Sequence, residues 1–468
     1  MNVLLISTYE LGRQPFGLAS PAAWLRSRGH GVECLDLSRQ PLAEDAVRAA
    51  GLIAFYVPMH TAARLALQLV EPLRSLNPAA SFCAYGLYAS LTEEAFRSLG
   101  VHALFGGEFE EALTAFADRT SQRGHFSHTA WANGESSSGR SERSDIISLT
   151  RQRFLLPDRT TLAPLRQYAH LILPSGEHRV TGYTEASRGC KHLCRHCPVV
   201  PVYNGVFRVV DRDIVLADIR QQVAAGAQHI TFGDPDFFNG IGHALPLVEA
   251  MHREFPALTY DATIKVEHLK QHEDRLLLLR DTGCLFVTSA VESLDDRVLR
   301  LLEKGHTRAD FLHVAARFRE IGLTLQPTFV PFTPWTTLES FRDLLDTLLE
   351  LDLVSAVPPI QLAIRLLIPE HSRLLEIEDI RRVIGPFDQK ALVYPWRHPD
   401  ARVDALSEEL QDLVAASEKQ KLSRAQTFER IWTAAHAAGE TDAQTRLRQM
   451  PVLAARAAVP YLNEPWYC

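Results

Sequence analysis

Three cysteines, Cys190, Cys194 and Cys197, fall at the spacing Cys-x3-Cys-x2-Cys within residues 183–197, YTEASRGCKHLCRHC. Thiolates are the usual ligands of iron–sulfur clusters. Three of them on one tight loop can hold three irons of a cubane and leave the fourth to an outside ligand. A zinc ion would need a fourth protein donor to close its tetrahedron. His192 and His196, in the same loop, could supply it. A strand-like run ending in Arg188-Gly189 leads directly into the loop.

A cysteine triad at this spacing after a strand resembles the signature of the radical S-adenosylmethionine (SAM) superfamily. The resemblance implies a 4Fe–4S cluster whose open iron binds the amino and carboxylate groups of SAM. It also implies a small-molecule substrate and an electron donor of the flavodoxin or ferredoxin type. The family usually has an aromatic residue just before the last cysteine; here that position is His196.

The loop has to be held by something. Between residues 178 and 385, strand-like runs at 183–187, 229–233, 259–265, 285–291, 323–330 and 362–368 alternate with helical patterns. Six such units are two short of a complete eight-stranded barrel. The resemblance implies a partial (β/α)6 barrel with its chemistry at the carboxyl ends of the strands. After the second run, Gly233-Asp234-Pro235 stands where the family has a Gly-Gly-Glu turn for the SAM amino group, so Gly233 and Asp234 become candidates. A plain Asp-Pro turn is the alternative. Lys265 ends the third run, either toward the SAM ribose or carboxylate or in a charge pair with Glu267. Glu292-Ser293, then Asp295 and Lys304-Gly305, resembles a passage of cobalamin-class radical SAM enzymes. Glu292 would accept hydrogen bonds from the ammonium or ribose hydroxyls of SAM, and Ser293 could instead cap the next helix. Arg365, in the apolar sixth run, needs a partner if buried: a SAM carboxylate or Glu292.

Residues 1–120 alternate apolar runs (3–7, 32–37, 52–57, 81–85, 102–105) with amphipathic segments. Such a pattern predicts a parallel sheet covered on both faces, a flavodoxin-like doubly wound α/β fold with ligands at the strand carboxyl ends. The turn Gly106-Gly107-Glu108-Phe109-Glu110 resembles the last strand-to-helix turn of the cobalamin-binding domain found ahead of many radical SAM barrels. By that resemblance Gly106, Gly107 and Glu108 would approach a cobalamin. The Asp-x-His-x-x-Gly motif that supplies a cobalt ligand elsewhere is missing. His60 reads as a surface or helix-start residue, and a domain of this fold that binds no cobalamin is the alternative.

Residues 121–177 read as linker and strap: Ser, Gly and charge dominate to about 145, and an edge strand is expected near 171–173. Residues 386–468 read as a helical extension, amphipathic over 405–438. The chain ends Tyr461-Leu462-Asn463-Glu464-Pro465-Trp466-Tyr467-Cys468. This ending resembles a radical SAM family whose tail continues as Cys-Cys or Cys-selenocysteine followed by Ala-Glu-Pro (the CCAEP or CUAEP tail). The resemblance implies a stop at a selenocysteine codon and a catalytic Cys468 able to capture a thiophilic acceptor such as arsenite. An ordinary terminal cysteine is the alternative.

Composition bounds the rest. The chain has 468 residues, 46% hydrophobic and 22% charged, with a net charge of -7, which argues against nucleic-acid binding. Seven cysteines, four of them scattered, fit a reducing compartment. No stretch matches a signal peptide or reaches the roughly 18 apolar residues of a membrane helix, so a cytoplasmic protein with no membrane partner is expected. Two reactions fit: methyl transfer through cobalamin, or transfer of the 3-amino-3-carboxypropyl group of SAM. A corrinoid- or metal-sensing protein with structural zinc on the triad is the non-enzymatic alternative.

Overall fold

The computed structural model describes residues 1–101, 103–122, 146–438 and 459–463. Most of the expected linker, His102 and Cys468 lie outside the described residues.

The first sheet is built from β1 (Asn2–Ser7), β2 (Gly31–Asp36), β3 (Leu52–Tyr56), β4 (Ser81–Tyr85), β5 (Ala103–Gly107) and β6 (Ile147–Ser148). Its order is β2-β1-β3-β4-β5-β6, all parallel. Every residue of β3 is buried, as a sheet covered on both faces requires. Leu5, Leu18, Leu25 and Leu113 pack on one face; Ile6, Ile53, Phe55 and Val70 pack on the other. Five strands fall where apolar runs predict them. The sixth, β6, is two residues long, too short to leave a periodic signal.

The second sheet runs β14-β13-β12-β11-β8-β7-β15, with β7 at His170–Ile172 and β15 at Tyr461–Leu462. Its parallel part comprises β8 (His178–Thr184), β11 (His229–Phe232), β12 (Thr259–Thr263), β13 (Cys284–Glu292) and β14 (Thr324–Phe329). Between β8 and β11 a small antiparallel hairpin, β9 (Ser187–Gly189) with β10 (Phe207–Val209), brackets the cysteines. The sixth unit expected at 362–368 is reduced to a single parallel bridge, Phe332 to Arg365. Pro331 and Pro334 flank that bridge, and a proline has no N–H for a ladder. The edge strand expected near 171–173 is β7 (His170–Ile172), antiparallel to β8.

Helices Ala401–Lys419 and Arg424–Ala437 seat Leu406, Leu410, Phe428, Ile431 and Trp432 in the barrel core. The extension is therefore helical there, but it finishes differently. Tyr461–Leu462 forms β15, antiparallel to β7. Since β7 is itself antiparallel to β8, β15 runs the same way as β8, toward the cysteine loop.

Two arginines join the sheets. Arg159 reaches Asp218 and the Tyr183 carbonyl on the barrel side and Gln14 on the other, all within 2.8 Å. Arg188, 6% exposed, bonds both Glu110 oxygens at 2.6 and 2.9 Å, Glu185 at 2.8 Å and Glu108 at 3.5 Å. Among the described residues no helix is long and apolar enough to cross a membrane.

Candidate functional site

The cysteine loop starts from a backbone that only glycine accepts. Gly189 has φ 71°, and a Cβ there would sit 2.3 Å from the Val206 carbonyl. Beyond it the loop is tied down from several sides. Asn239 donates to Cys190 Sγ at 3.4 Å and accepts from the Lys191 N–H at 3.3 Å. The Arg195 N–H bonds the Leu302 carbonyl at 3.0 Å, and Arg373 bonds the Leu193 carbonyl at 2.6 Å. The Cys197 N–H closes on the Cys194 carbonyl at 3.1 Å.

Burial pushes the Cys197 thiol up to about 12, with Cys194 and Cys190 pushing the same way, and burial also raises Cys190. Buried sulfurs that repel one another's ionised forms are a seat for a cationic group. A tetrahedral zinc would need a fourth protein donor, and the two histidines of the loop face carboxylates instead: His196 Nε2 meets Glu292 Oε1 at 3.0 Å, and His192 lies 3.5 Å from Asp236 and 3.6 Å from Glu267. The triad fits a cluster and not a structural zinc.

Glu292 ends β13 at φ 68°. Its Oε1 accepts from His196 Nε2 at 3.0 Å and Lys304 Nζ at 3.3 Å. Burial raises its pKa, but Lys304 and His196 outweigh it and hold the carboxyl near 2. Glu292 is therefore ionised and coupled to the residue just before Cys197. Ser293 accepts from the Asp295 N–H at 3.0 Å; the cap of helix Asp296–Leu301 is Asp295, not Ser293. Beside Glu292 and Ser293 lies a cavity of about 220 Å3 with Arg308, Thr336 and Asp343 in its wall. His306 is buried with no hydrogen-bond partner on either ring nitrogen.

Several expected contacts fall elsewhere. Asp234 accepts from the Ala186 N–H at 3.0 Å and from the Ser187 hydroxyl, so it braces the β8–β9 turn and does not face an open space. Burial raises it to about 7. Gly233 lies against the Tyr183 ring, with no room for a Cβ. Lys265 Nζ pairs with Glu267 at 3.2 Å, the charge-pair alternative. Arg365 meets neither of its two expected partners: it bonds Asp404 at 2.8 Å and the Trp396 carbonyl at 2.7 Å, over the Trp396 ring. Its partners lie in the C-terminal extension, beyond any barrel motif.

The GGEFE turn also serves the protein itself. Gly107, at φ 69°, clears the Ser148 carbonyl of β6; Gly106 lies against Ser90; Glu108 faces Arg188 and Tyr203. His60 opens helix His60–Leu76 and bonds the Ala391 carbonyl at 2.7 Å. The space between the carboxyl ends of the two sheets measures about 230 Å3, with Glu10, Tyr56, Met59, Tyr183, Glu185 and Arg188 among its walls. Tyr56, Tyr85 and Phe109 pack together 5.0–6.3 Å apart across this end of the first sheet. The space thus lies where ligands of such sheets bind, outside the carboxyl ends of the strands.

Lys304 was named with Gly305 in the passage after Glu292, without a role of its own. Asp236 and Asn239 are site residues to which sequence reasoning gave no role; Asp236 follows Asp234 by two. Asn239 left no signal.

Residues 184–348 match the Radical SAM superfamily profile. Among curated proteins, the ribosomal protein uS12 methylthiotransferase RimO of Geobacter sulfurreducens is 27% identical over 177 residues, 35% of this chain and 39% of that protein. RimO of Thermus thermophilus is 26% identical over 271 residues, 52% of this chain and 61% of that protein. The chain thus spans about two fifths of the length of the first of these relatives. Among solved structures, the cobalamin-dependent SAM radical enzyme OxsB in its apo form gives a TM-score of 0.71 at 14% identity, covering 95% of this chain and 74% of OxsB. The radical SAM methyltransferase TsrM from Kitasatospora setae, with cobalamin and a [4Fe-4S] cluster bound, gives 0.56 at 19%, covering 75% of this chain and 73% of TsrM. These likenesses concern the fold.

Proposed function

We propose that this chain, which carries a radical SAM domain at residues 184–348, is an enzyme that cleaves SAM reductively and transfers a SAM-derived group to a small molecule. The observation that carries this is the triad Cys190, Cys194 and Cys197 on one loop bracketed by the β9–β10 hairpin, with both loop histidines turned to carboxylates and no fourth donor offered to a zinc ion. When bound there, a 4Fe–4S cluster supplies the electron that breaks a carbon–sulfur bond of SAM. The chain's own residues do the rest. Asn239 and the backbone anchors orient the cysteines and keep water from Cys190. Ionised Glu292, steadied by Lys304 and His196, offers a carboxylate oxygen to the ammonium or ribose hydroxyls of SAM. The cavity beside Ser293 gives the substrate its polar wall of Arg308, Thr336 and Asp343.

Of the two transfers, that of the 3-amino-3-carboxypropyl group is favoured, on the course of the C-terminal strand toward the cysteine loop. A role for Cys468 in holding a thiophilic acceptor such as arsenite is supported by the heading of β15. Asn463 is level with His170 and hence with Val180 of β8. Five residues span up to about 17 Å, and Thr184, at the mouth, is four strand residues or about 13 Å past Val180.

Anaerobic incubation of the reconstituted chain with SAM, a reductant and arsenite tests this. Methylthioadenosine is the expected product. Formation of 5′-deoxyadenosine only in the presence of cobalamin would replace this transfer by the methyl reaction. Intact SAM with a fully loaded iron site would end the enzymatic proposal.

A further inference from the structure

His192, Asp236 and His268 come from three separate elements: the cysteine loop, the turn after β11 and helix Val266–Gln271. Their facing atoms have an unusual relationship. Asp236 Oδ2 lies 2.7 Å from His268 Nδ1 and 3.5 Å from His192 Nε2, yet neither approach is aligned as a hydrogen bond. All three atoms are buried and without a hydrogen-bond partner. Asp236 is 0% exposed, and its other oxygen is already used by the Phe238 and Lys265 N–H groups at 3.2 and 3.4 Å. Those two bonds aim Oδ2 at the imidazoles. A buried carboxylate oxygen and two imidazole nitrogens gathered with no aligned hydrogen-bond partner are what a cation can satisfy, since buried polar atoms are seldom left unpaired.

Donors about 2.1 Å from one ion stand about 3.0 Å apart at a right angle and about 3.4 Å apart at the tetrahedral angle, close to the two separations from Asp236 Oδ2; all three atoms lie within 4.8 Å of one another, so binding draws the two imidazoles together. We propose that His192 Nε2, Asp236 Oδ2 and His268 Nδ1 bind a divalent first-row cation, zinc or ferrous iron, beside the cysteine loop. Two imidazoles and one carboxylate are borderline donors that suit these ions better than magnesium or calcium. Three protein ligands leave a position for water or for an oxygen of the substrate. Glu267 lies 3.6 Å from His192 Nδ1, on the far side of that ring, the place where a carboxylate commonly meets a ligand histidine. The site goes beyond the proposed reaction and does not depend on it, since none of its ligands is a cysteine.

The test uses cobalt(II) as a probe on the full chain carrying Cys190→Ser, Cys194→Ser and Cys197→Ser together, which removes every cluster thiolate. Visible cobalt bands at one equivalent, without sulfur-to-cobalt charge transfer, are expected. Asp236→Asn or His268→Gln on that background should weaken binding by at least about tenfold. In the cluster-loaded wild-type chain, zinc content by mass spectrometry should fall in His268→Gln while iron content stays constant. Absence of cobalt bands in the triple variant, with its circular dichroism unchanged, overturns the proposal. So does equal affinity in the Asp236 and His268 variants. Should Asp236→Asn lose its fold, His268→Gln alone decides.

Discussion

His306 illustrates how one buried side chain sets a pH dependence. Burial first, then the ammonium groups of Lys304 and Lys265, lower its pKa from 6.5 to about 4. The folded chain therefore keeps this ring neutral where the unfolded chain would protonate it. Between pH 6.5 and 4 the unfolded state binds more protons, so stability rises with pH across that window and is lost as pH falls through it. The contribution is on the order of 3 kcal/mol. His306→Phe should flatten the decline in denaturation midpoint between pH 6.5 and 4 while leaving the value at pH 8 nearly unchanged. A parallel decline in the variant would assign the dependence to other groups. The same scale explains why Glu292 is ionised: its partners Lys304 and His196 converge on one oxygen.

Elements meet at Arg188. The last residues of the β9 strand deliver a guanidinium into a nest of Glu108, Glu110 and Glu185 from both halves of the chain. Phe16, Phe109 and Phe154 flank it within 5.8 Å. Removing one partner of a buried ion pair strands the rest and typically costs about 3–5 kcal/mol. Arg188→Ala should show that loss in chemical denaturation and expose residues 146–177 to limited proteolysis. Arg188→Lys should rescue little, because a point charge cannot span the Glu110 carboxylate in a fork. Wild-type stability in Arg188→Ala would mean that Arg159 alone joins the halves.

At the scale of the whole molecule, the parallel sheets and the cysteine loop were legible because apolar runs and the triad repeat at fixed spacings. The sixth barrel unit was not. Residues 362–368 are apolar enough for a strand, yet their neighbours Pro331 and Pro334 deny them a ladder. Arg365 misled for a related reason: its partner Asp404 lies 39 residues on, in a helix that no barrel pattern includes. Glu108 read as a cofactor contact because a turn's composition does not tell whether it clears a ligand or a neighbouring backbone. The seat above it yields one more expectation. Under the favoured transfer, aquacobalamin mixed with the purified full chain elutes separately on desalting, leaving no corrin absorbance with the protein. A retained stoichiometric corrin would favour the methyl reaction instead.

The Arg188 nest also bears on how the chain is made. Glu110 leaves the ribosome 78 residues ahead of its guanidinium, an interval of roughly 4–16 s at usual elongation rates. Through that interval Glu108 and Glu110 are without their guanidinium, so the nest can close only after synthesis has reached the hairpin that cradles the cysteines.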